Sequence, residues 1–386
     1  MGRKLLLQRG DVSAMKHPDA LIIGAGIVGA SCAWALARVG VHVDIIENGV
    51  IGGGATAGGM GHLVVMDDCQ AEFELTRWSR ALWLELAQQL PHACEFRQFG
   101  TIWVAADEEE CEAVQRKHDW YGSRGVATEI LDERSLAEAE PNLRRGLAGG
   151  LLVPDDAVVY APTVASWLIE RAIEKGAMVR HGSVTHLDRR DVQMANGETI
   201  AFGTAVVANG CSAVQLFPEL PIHPRKGHLA ITDRYPGFVN HQLIELGYLK
   251  SAHGSANESV AFNAQPRPTG QVLLGSSRQF DNDTAQIDWP ILDRMLRRAL
   301  EYMPALRPLS VIRTWTGFRA ATPDRLPLIG PHRAENILLA TGHEGLGITT
   351  SLATGELIAA MLVGAPSALS PHPFLPSRHA LEHADV

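Results

Sequence analysis

The chain contains 386 residues, more than one hydrophobic core usually supports, so we expect two domains or one large bilobal unit. Its composition, 46% hydrophobic and 20% charged, is that of a globular protein, and a formal net charge of -9 argues against a general nucleic-acid-binding protein. No apolar run approaches the length needed to cross a bilayer, so we expect no membrane span and a cytoplasmic location.

The five cysteines are widely spaced and include no C-x-x-C pair. This spacing predicts reduced thiols and lacks the ligand set of a zinc site or an iron–sulfur cluster, so we predict no metal site in this chain. Cys32 is expected to be a small core residue. Residues 1–17 have a basic start but no signal-peptide pattern, and we expect them to form an extension outside the fold.

A strand, a glycine-rich turn, a helix and a second strand follow this extension. The apolar run Ala20–Ile23 predicts a buried parallel strand, residues 27–39 predict a helix, and residues 41–46 predict a strand that ends at Glu47. Residues 24–29 read G-A-G-I-V-G, which matches the G-x-G-x-x-G pattern of dinucleotide-binding proteins. A glycine-rich turn in an unrelated α/β protein is the alternative reading.

Each glycine of this pattern has its own expected role. Gly24 makes the tight turn, Gly26 lets the backbone approach a pyrophosphate, and Gly29 lets the helix pack closely against the strand. The helix N-terminus offers free N–H groups to the phosphates. Glu47 follows about twenty residues later, where an acid binds ribose hydroxyls and favours FAD or NAD over NADP.

Glycine-rich residues 51–65 predict a flexible loop that lies flat against a planar ligand, rather than a helix or strand. The meandering strands after residue 217 predict an antiparallel sheet. The remaining pattern predicts helices over residues 72–90, 108–122, 163–175 and 287–302, and strands over 100–105, 177–180, 184–188, 198–201, 204–210, 221–233, 243–249, 259–264, 271–275 and 337–341.

Two dense motifs fill the last third of the chain. Residues 313–330 read R-T-W-T-G-F-R-A-A-T-P-D-R-L-P-L-I-G, and residues 337–356 read I-L-L-A-T-G-H-E-G-L-G-I-T-T-S-L-A-T-G-E. In the second motif, a glycine-rich turn over 342–347 leads into a helix, whose N-terminal N–H groups form a second site for negative charge. Such a site suits the pyrimidine edge of a flavin, where negative charge collects on reduction.

Together, these motifs resemble the D-amino-acid-oxidase and glycine-oxidase superfamily of FAD enzymes, from residue 18 to about residue 363. A narrower resemblance, to the flavin subunit of heteromeric D-hydroxyproline dehydrogenases, is carried by four phrases: G-A-T-A-G-G-M-G-H-L-V-V-M-D-D, G-T-I-W-V-A-A-D-E-E-E, P-R-K-G-H-L and G-H-E-G-L-G-I-T-T-S-L. Opine-dehydrogenase and hydrogen-cyanide-synthase flavin subunits share the last phrase.

The resemblance implies an α/β fold in which a Rossmann-type FAD-binding domain is interleaved with an antiparallel-sheet substrate domain of α+β type. The expected FAD-binding segments are residues 18–92, 150–216 and 310–365. The substrate domain takes residues 93–149 and 217–309. Residues 366–386 are expected to form a C-terminal tail that frays.

The resemblance places a substrate-carboxylate anchor at Arg319, whose guanidinium can grip a carboxylate through two parallel hydrogen bonds. The alternative for Arg319 is a surface ion pair. His62, His228 and His343 lie in motifs expected to approach the flavin, where a histidine could hold the amine neutral or stabilise reduced flavin. Tyr248 and Lys226 are weaker candidates, and Arg313 and Arg325 are expected to be structural charges.

The resemblance also implies the cofactor contacts, with Trp315 packing beneath the flavin. They are Gly24, Gly26, Ile27, Val28, Gly29, Glu47, Asn48, Gly54, Ala55, Thr56, Gly59, Met60, Gly61, His62, Val184, Ala208, Asn209, Gly210, Trp315, Gly317, Gly342, His343, Gly345, Leu346, Gly347 and Ile348.

The expected function is an FAD-dependent dehydrogenase that oxidises a small amino or imino acid, with cis-4-hydroxy-D-proline or D-proline as the expected substrate, by hydride transfer to flavin N5. The resemblance implies partner subunits with an iron–sulfur centre as electron acceptor, and an acceptor of this kind could hold the chain at the inner membrane face. The alternatives are an opine, sarcosine or glycine-type amine oxidase or dehydrogenase, an NAD enzyme, and a non-catalytic flavin-bound assembly subunit.

Overall fold

The fold is known from a computed structural model that describes residues 17–247, 258–280 and 282–379. Its strands are β1 Ala20–Ile23, β2 Val43–Glu47, β3 His62–Leu63, β4 Thr101–Ala105, β5 Glu129–Asp132, β6 Gly149–Val153, β7 Ala157–Val158, β8 Met178–His181, β9 Val184–Leu187, β10 Asp191–Met194, β11 Thr199–Ala201, β12 Thr204–Val207, β13 His223–Arg234, β14 Gln242–Glu245, β15 Glu258–Pro266, β16 Gln271–Gln279, β17 Val311–Ala321, β18 Leu328–His332 and β19 Ala334–Thr341. Its α-helices are α1 Ile27–Arg38, α2 Ala55–Gly58, α3 Gln70–Ala87, α4 Glu108–Gly122, α5 Glu133–Ala139, α6 Ala161–Ile173, α7 Ala213–Leu216, α8 Trp289–Tyr302 and α9 Gly347–Val363.

A six-stranded sheet in the order β18-β19-β12-β1-β2-β8 carries the glycine-rich turn. Its pairs are parallel except β18 with β19. One core cluster joins this sheet to α1, α3, α6 and α9, and a second joins it to the small sheet of β9, β10 and β11. The strands are apolar almost throughout because both faces of this sheet are covered.

The second large sheet has eight strands in the order β17-β13-β16-β15-β14-β4-β6-β5. Every pair is antiparallel except β14 with β4. Its core includes Phe262 of β15 and Tyr302 of α8. Their rings stack with centroids 4.8 Å apart. The predicted fold class, a Rossmann-type α/β unit with a largely antiparallel second unit, is confirmed.

Two strands lie in a different sheet from the one that their predicted segments implied. β6 pairs with β4 and β5, and β17 pairs with β13, so both belong to the eight-stranded sheet. A strand pattern reports which residues alternate but not which strand is its neighbour. The domain boundaries as a whole stay a prediction, and the elements that the sequence did not predict include β5, β10, β18 and α5.

The sequence predicted an irregular loop for the glycine-rich segment after β2, but part of this segment is regular. It contains the single-turn helix α2 and the strand β3, which pairs with β7. Gly58 of α2 lies against Gly317 of β17 so closely that a Cβ on Gly58 would stand 3.0 Å from the Gly317 Cα atom. The glycines therefore allow two backbones to meet, in addition to making turns.

The expectation of a fraying C-terminal tail is wrong for residues 366–379. Phe374 is fully buried in the core of the six-stranded unit. Arg378 forms an ion pair with Asp324 at 2.6 Å and donates to the Leu326 carbonyl at 2.7 Å. An apolar anchor and a charge pair thus hold a segment whose Pro/Ser/His-rich composition suggested disorder.

One helix contradicts the statement that no apolar run is long enough to cross a bilayer. Glu344–Val363, which is α9 with its preceding turn, is long and apolar enough to cross a membrane by length and composition alone. It packs against α1 and α3, and most of its residues are buried. The cysteines behave as predicted: all five are free, and Cys32 is a buried core residue.

Candidate functional site

A cavity of about 870 Å³ lies between the two large sheets. One end is formed by the β1–α1 turn, the β2 end and α2 of the six-stranded unit. The other end is formed by one face of the eight-stranded sheet and the turn before α9. The volume is within the range of sites that enclose a large organic ligand.

The first end has the geometry that a pyrophosphate requires. Gly24 adopts φ +102°, a conformation that favours glycine, and a Cβ on Gly29 would stand 1.9 Å from the Gly24 carbonyl oxygen. A Cβ on Gly26 would enter the space beside Thr56 Oγ1, at 3.3 Å. The turn and the N-terminus of α1 therefore stay open to a phosphate group.

Glu47 stands at the end of β2 beside this turn. Its Oε2 accepts from the Ala25 backbone N–H at 2.7 Å, and its Oε1 accepts from the Gly49 N–H at 2.7 Å. These bonds fix the carboxylate at the cavity wall, where each oxygen keeps further acceptor capacity. The arrangement suits ribose hydroxyls, so the residues at this end fit a dinucleotide such as FAD.

Arg319 lies at the other end of the cavity, on β17. It pairs in register with Arg225 of β13, and its Nη1 donates to the Ser277 carbonyl at 3.2 Å. A Cβ on Gly227 would stand 2.5 Å from Arg319 Nη1, so the absence of a side chain at Gly227 makes room for the guanidinium. This packing holds the Arg319 guanidinium against the sheet, and Arg319 lines the cavity.

Three arginines surround one carboxylate at this end. Arg225 Nη1 donates to Glu344 Oε1 at 3.0 Å, and both residues are largely buried. Burial alone would raise the pKa of Glu344, but the charges of Arg278, Arg319 and Arg225 hold it well below its usual range. The group is therefore ionised at neutral pH, and the cluster keeps an excess of positive charge that suits a substrate carboxylate.

The turn before α9 differs in detail from the predicted donor site. Gly345 N–H donates to Glu344 Oε2 at 2.8 Å, and Leu346 N–H donates to the His343 carbonyl at 3.0 Å. Two of the expected N–H groups are therefore used within the turn. The helix proper begins at Gly347, which lines the cavity with Ile348.

His343 and His62 both line the cavity but are neutral at physiological pH. Burial lowers the pKa of His343 to about 3 and that of His62 to about 4. Thr354 Oγ1 donates to the Thr350 carbonyl and lies 3.0 Å from His343 Nε2, so it accepts a hydrogen bond from the imidazole. Neither ring supplies the positive charge that the sequence interpretation allowed for.

Arg225 and Gly227 of the motif around His228 line the cavity, but His228 itself does not, contrary to the expectation that it lines the site. The Asp288 backbone N–H donates to its Nε2 at 3.0 Å, and its Nδ1 donates to Ser277 Oγ at 2.9 Å. Burial and the charge of Lys226 lower its pKa. Both ring nitrogens thus have protein partners, one in the sheet and one at the start of α8, as in a structural histidine.

Of the other residues named from the sequence, Arg325 lines the cavity, Lys226, Trp315 and Arg313 do not, and Tyr248 is not described. Lys226 Nζ donates to Asn282 Oδ1 at 3.2 Å. Trp315 is absent from the cavity lining. The Arg313 guanidinium carbon lies over its ring, 5.2 Å from the ring centroid. Arg325 lines the cavity and pairs with Asp68 at 3.6 Å. Tyr248 lies outside the described residues.

The cavity brings together most of the predicted cofactor residues. Gly29 does not line it, since it serves helix packing. Those that do line it are Gly24, Gly26, Ile27, Val28, Glu47, Asn48, Gly54, Ala55, Thr56, Gly59, Met60, Gly61, His62, Val184, Ala208, Asn209, Gly210, Gly317, Gly342, His343, Gly345, Leu346, Gly347 and Ile348. Their roles as ligand contacts stay a prediction.

Sequence reasoning missed several polar groups of the cavity. Arg225 and Glu344 stand inside phrases that carried the resemblance, so the motif letters could have suggested them, whereas Arg278 had no local signal. Four further lining residues each have a buried polar atom without a hydrogen-bond partner in the described part of the chain: Trp103 Nε1, Asn263 Oδ1, Ser276 Oγ and Glu72 Oε2. Since buried polar atoms are normally paired, this wall is suited to a polar ligand.

Comparison with known proteins places these features in a family. Residues 19–361 match the family model described as FAD dependent oxidoreductase. Glycine oxidase from Geobacillus kaustophilus is 27% identical over 382 residues, which cover 94% of this chain and 97% of that protein. Its crystal structure superposes with a TM-score of 0.85 at 26% identity, covering 94% of this chain and 100% of the other.

Two further proteins are similar over nearly the whole chain. Hydrogen cyanide synthase subunit HcnC from Pseudomonas aeruginosa is 26% identical, with 95% of this chain and 98% of that protein covered. The crystal structure of L-proline dehydrogenase from P. horikoshii has a TM-score of 0.85 at 23% identity, with 95% and 99% covered, which supports the fold alone.

Proposed function

This chain belongs to the FAD-dependent oxidoreductase family, and we propose that it is a dehydrogenase of a small amino or imino acid, with cis-4-hydroxy-D-proline or D-proline as the first candidates. Its cofactor is FAD, and oxidation of an amino group is the reaction class of its family; both predictions are confirmed. The substrate is the part that we propose.

The position of Arg319 in the same cavity as the dinucleotide cradle is the observation that carries this proposal. A guanidinium can hold a carboxylate through two parallel hydrogen bonds, which fixes the direction of the substrate's Cα–H bond. The stable ionisation of Glu344 and its bond to Arg225 keep the neighbouring charges in place. Arg319 is thereby the group best placed to orient an amino acid.

The chain's residues position the substrate, and the reaction needs no protein nucleophile. Bound FAD supplies the hydride acceptor. The Gly24–Gly29 turn and Glu47 hold the nucleotide, while the face of the eight-stranded sheet encloses the reacting end. The neutral His62 and His343 add polar surface to the cavity without adding charge.

A glycine-type substrate is the second candidate, because the relative named glycine oxidase is 27% identical over almost the full length of both proteins. Opines and sarcosine present the same carboxylate and amine groups and belong in the same test. A non-catalytic flavin-bound subunit is less consistent with the chain, since such a subunit has no need of the Arg319 environment.

We propose also that partner subunits with an iron–sulfur centre accept the electrons. One relative is named as a subunit of hydrogen cyanide synthase, so a heteromeric assembly has a precedent among similar proteins. The described residues contain no group of His, Cys, Asp and Glu side chains that could hold a metal ion, so an iron–sulfur centre would have to lie on another chain. A cytoplasmic location, with docking at the inner membrane face through the acceptor, belongs to the same proposal.

A substrate panel tests the function directly. The FAD-loaded chain is mixed anaerobically with each enantiomer of proline and of cis-4-hydroxyproline, and with glycine, sarcosine and an opine, while bleaching of the flavin is followed. Fast bleaching by the D-imino acids supports the first candidates, and fast bleaching by glycine supports the second. A flavin that no member of the panel reduces would contradict the proposal.

The electron acceptor is tested on the same preparation. We expect the reduced chain to react slowly with oxygen and quickly with an artificial dye, because the natural acceptor is a partner. Rapid hydrogen peroxide formation by the isolated chain would mark a self-sufficient oxidase and overturn the partner proposal.

A further inference from the structure

Glu72 is a buried acid in the cavity wall that the mechanism above does not use. It is the third residue of α3, it is 6% exposed, and it lines the cavity. Its Oε2 atom has no hydrogen-bond partner among the described residues. A carboxyl oxygen buried in this way has lost its hydration and requires a partner that the fold itself does not provide.

We propose that Glu72 takes up a proton from the ammonium group of the substrate and so produces the neutral amine that hydride transfer requires. This inference rests on the proposed function, because it names the residue that completes the amino-acid site.

The other acids of the cavity are already engaged. Among the described residues, four acids line it. Glu47 accepts two backbone N–H groups at the nucleotide end, Glu344 is paired with Arg225, and Asp68 lies 3.6 Å from Arg325. Glu72 is the remaining carboxyl group that can receive a cation.

The histidines of the site cannot take this role. His228 is absent from the cavity lining, and its two ring nitrogens are bonded to Ser277 and to the Asp288 backbone N–H. His343 binds Thr354 and has a pKa lowered by burial to about 3, and burial lowers that of His62 to about 4. At neutral pH, neither ring is basic enough to remove a proton from an ammonium group.

The charges that face Glu72 favour proton uptake. Burial, followed by the charges of Asp68, Glu344 and Asp67, raises its pKa to about 8, although the Asp68 backbone N–H acts in the opposite direction. Burial and the charge of Asp67 raise the pKa of Asp68 in turn, and the charges of Arg325, Lys117 and Arg278 act in the opposite direction. A base that titrates near the working pH is suited to accept and release a proton.

The step balances without a further reactant. One N–H bond of the ammonium group breaks, an O–H bond forms on Glu72, and nitrogen keeps the electron pair. The Cα–H pair then leaves as hydride to the oxidised cofactor while the nitrogen pair forms the C=N bond. The substrate loses two electrons, which the cofactor gains.

A structural role is the competing explanation. Glu72 stands at the third helical position after Cys69, where a glutamate can cap a helix by accepting a backbone N–H. Such a cap would contribute to folding equally at every pH at which the group is ionised, and it would not respond to an amine ligand. The two roles therefore make different predictions.

The first test compares the FAD-loaded parent, Glu72→Gln and Glu85→Gln in single-turnover reduction across a range of pH. Glu85 is exposed on the same helix and serves as the control. At neutral pH and limiting substrate, Glu72→Gln should be slower by about 100-fold, the usual contribution of a positioned base. The deficit should shrink as pH approaches the amine's own pKa, because free amine then needs no base.

The second test needs no turnover. Calorimetric titration with α-aminoisobutyric acid, which has no Cα–H bond, in two buffers of different ionisation enthalpy reports protons exchanged on binding. At pH 7, the parent and Glu85→Gln should release about one proton, since the empty site holds Glu72 protonated and an ammonium ligand favours the carboxylate. Glu72→Gln should release none.

The outcomes separate this inference from the function on which it rests. A deficit of equal size at every pH, no deficit, or the same proton release from Glu72→Gln would overturn the role of Glu72 while leaving the dehydrogenase intact. A parent whose flavin no amino acid reduces would overturn the proposed function itself.

Discussion

Single residues in this protein show how burial determines which side chains can exchange protons. His62, His228 and His343 have the same intrinsic chemistry, and the sequence placed all three near the cofactor. The structure gives each a lowered pKa, with burial as the main cause. The positive charge at the substrate end comes instead from arginines, whose guanidinium groups stay ionised when partly buried.

Burial of neutral His343 predicts a pH dependence of stability. The folded ring takes up a proton only near pH 3, whereas an unfolded histidine does so near pH 6.5. Its contribution is therefore fully present above the unfolded pKa and is lost as pH falls towards the folded one. Melting temperatures measured from pH 7 to about pH 4 should fall less for His343→Gln than for the parent.

The exposed His92 provides the control for this prediction. His92→Gln should follow the parent curve, because the substitution removes an exposed ring and no buried group. Parallel curves for the parent and His343→Gln would show that this histidine does not limit stability in acid.

Local motifs predicted Arg319 but not the cluster around it. Arg225, Arg278 and Glu344 come from β13, β16 and the turn before α9, far apart in the sequence. Register between β13 and β17 sets Arg225 opposite Arg319, and only the folded sheet reveals this pairing. A single sequence shows which residue types are present, but not which of them converge.

At the scale of elements, close backbone contacts position the nucleotide end. A Cβ on Gly355 of α9 would stand 2.6 Å from the Ser31 carbonyl oxygen of α1, so these helices meet without intervening side chains. The order from β1 through α1 to Glu47 was predictable because hydrophobic runs, glycine spacing and a terminal acid all agree. The sheet to which β6 and β17 belong was not predictable, because the partners of a strand can be distant in the sequence.

Gly29→Ala tests the helix approach. The new Cβ would overlap the Gly24 carbonyl oxygen at 1.9 Å, so α1 must move away from the turn that we propose binds the pyrophosphate. We expect the purified variant to retain less than a tenth of the parent's FAD and to melt at a lower temperature. Absorbance of protein-bound flavin and a thermal melt provide the two readouts.

Gly122→Ala is the matched control, because a Cβ at this helical glycine meets nothing within 4 Å. It should bind FAD like the parent. Full FAD retention by Gly29→Ala would contradict the helix-packing role of this glycine.

At the scale of the whole molecule, the cavity exists because two sheets of different kinds face each other. The six-stranded unit brings the N-terminus of α1 and Glu47 to one end, and the eight-stranded sheet brings Arg225, Arg278 and Arg319 to the other, while Glu72 lines the cavity from α3. Fold class and cofactor were accessible from sequence because long motifs specify them. The anchoring of residues 366–379 was not, because it depends on Phe374 filling a distant core and on Arg378 meeting Asp324.

The most direct test of the account is anaerobic flavin reduction by the best amino acid of the panel, in the parent, Arg319→Ala and Arg313→Ala. Arg313 is exposed on the same strand and controls for loss of an arginine. All three should bind equal FAD, and Arg319→Ala should be reduced on the order of 100-fold more slowly, corresponding to about 3 kcal/mol for a charge-assisted anchor. Equal rates in the parent and Arg319→Ala would contradict the claim that this cavity holds an amino acid by its carboxylate beside FAD.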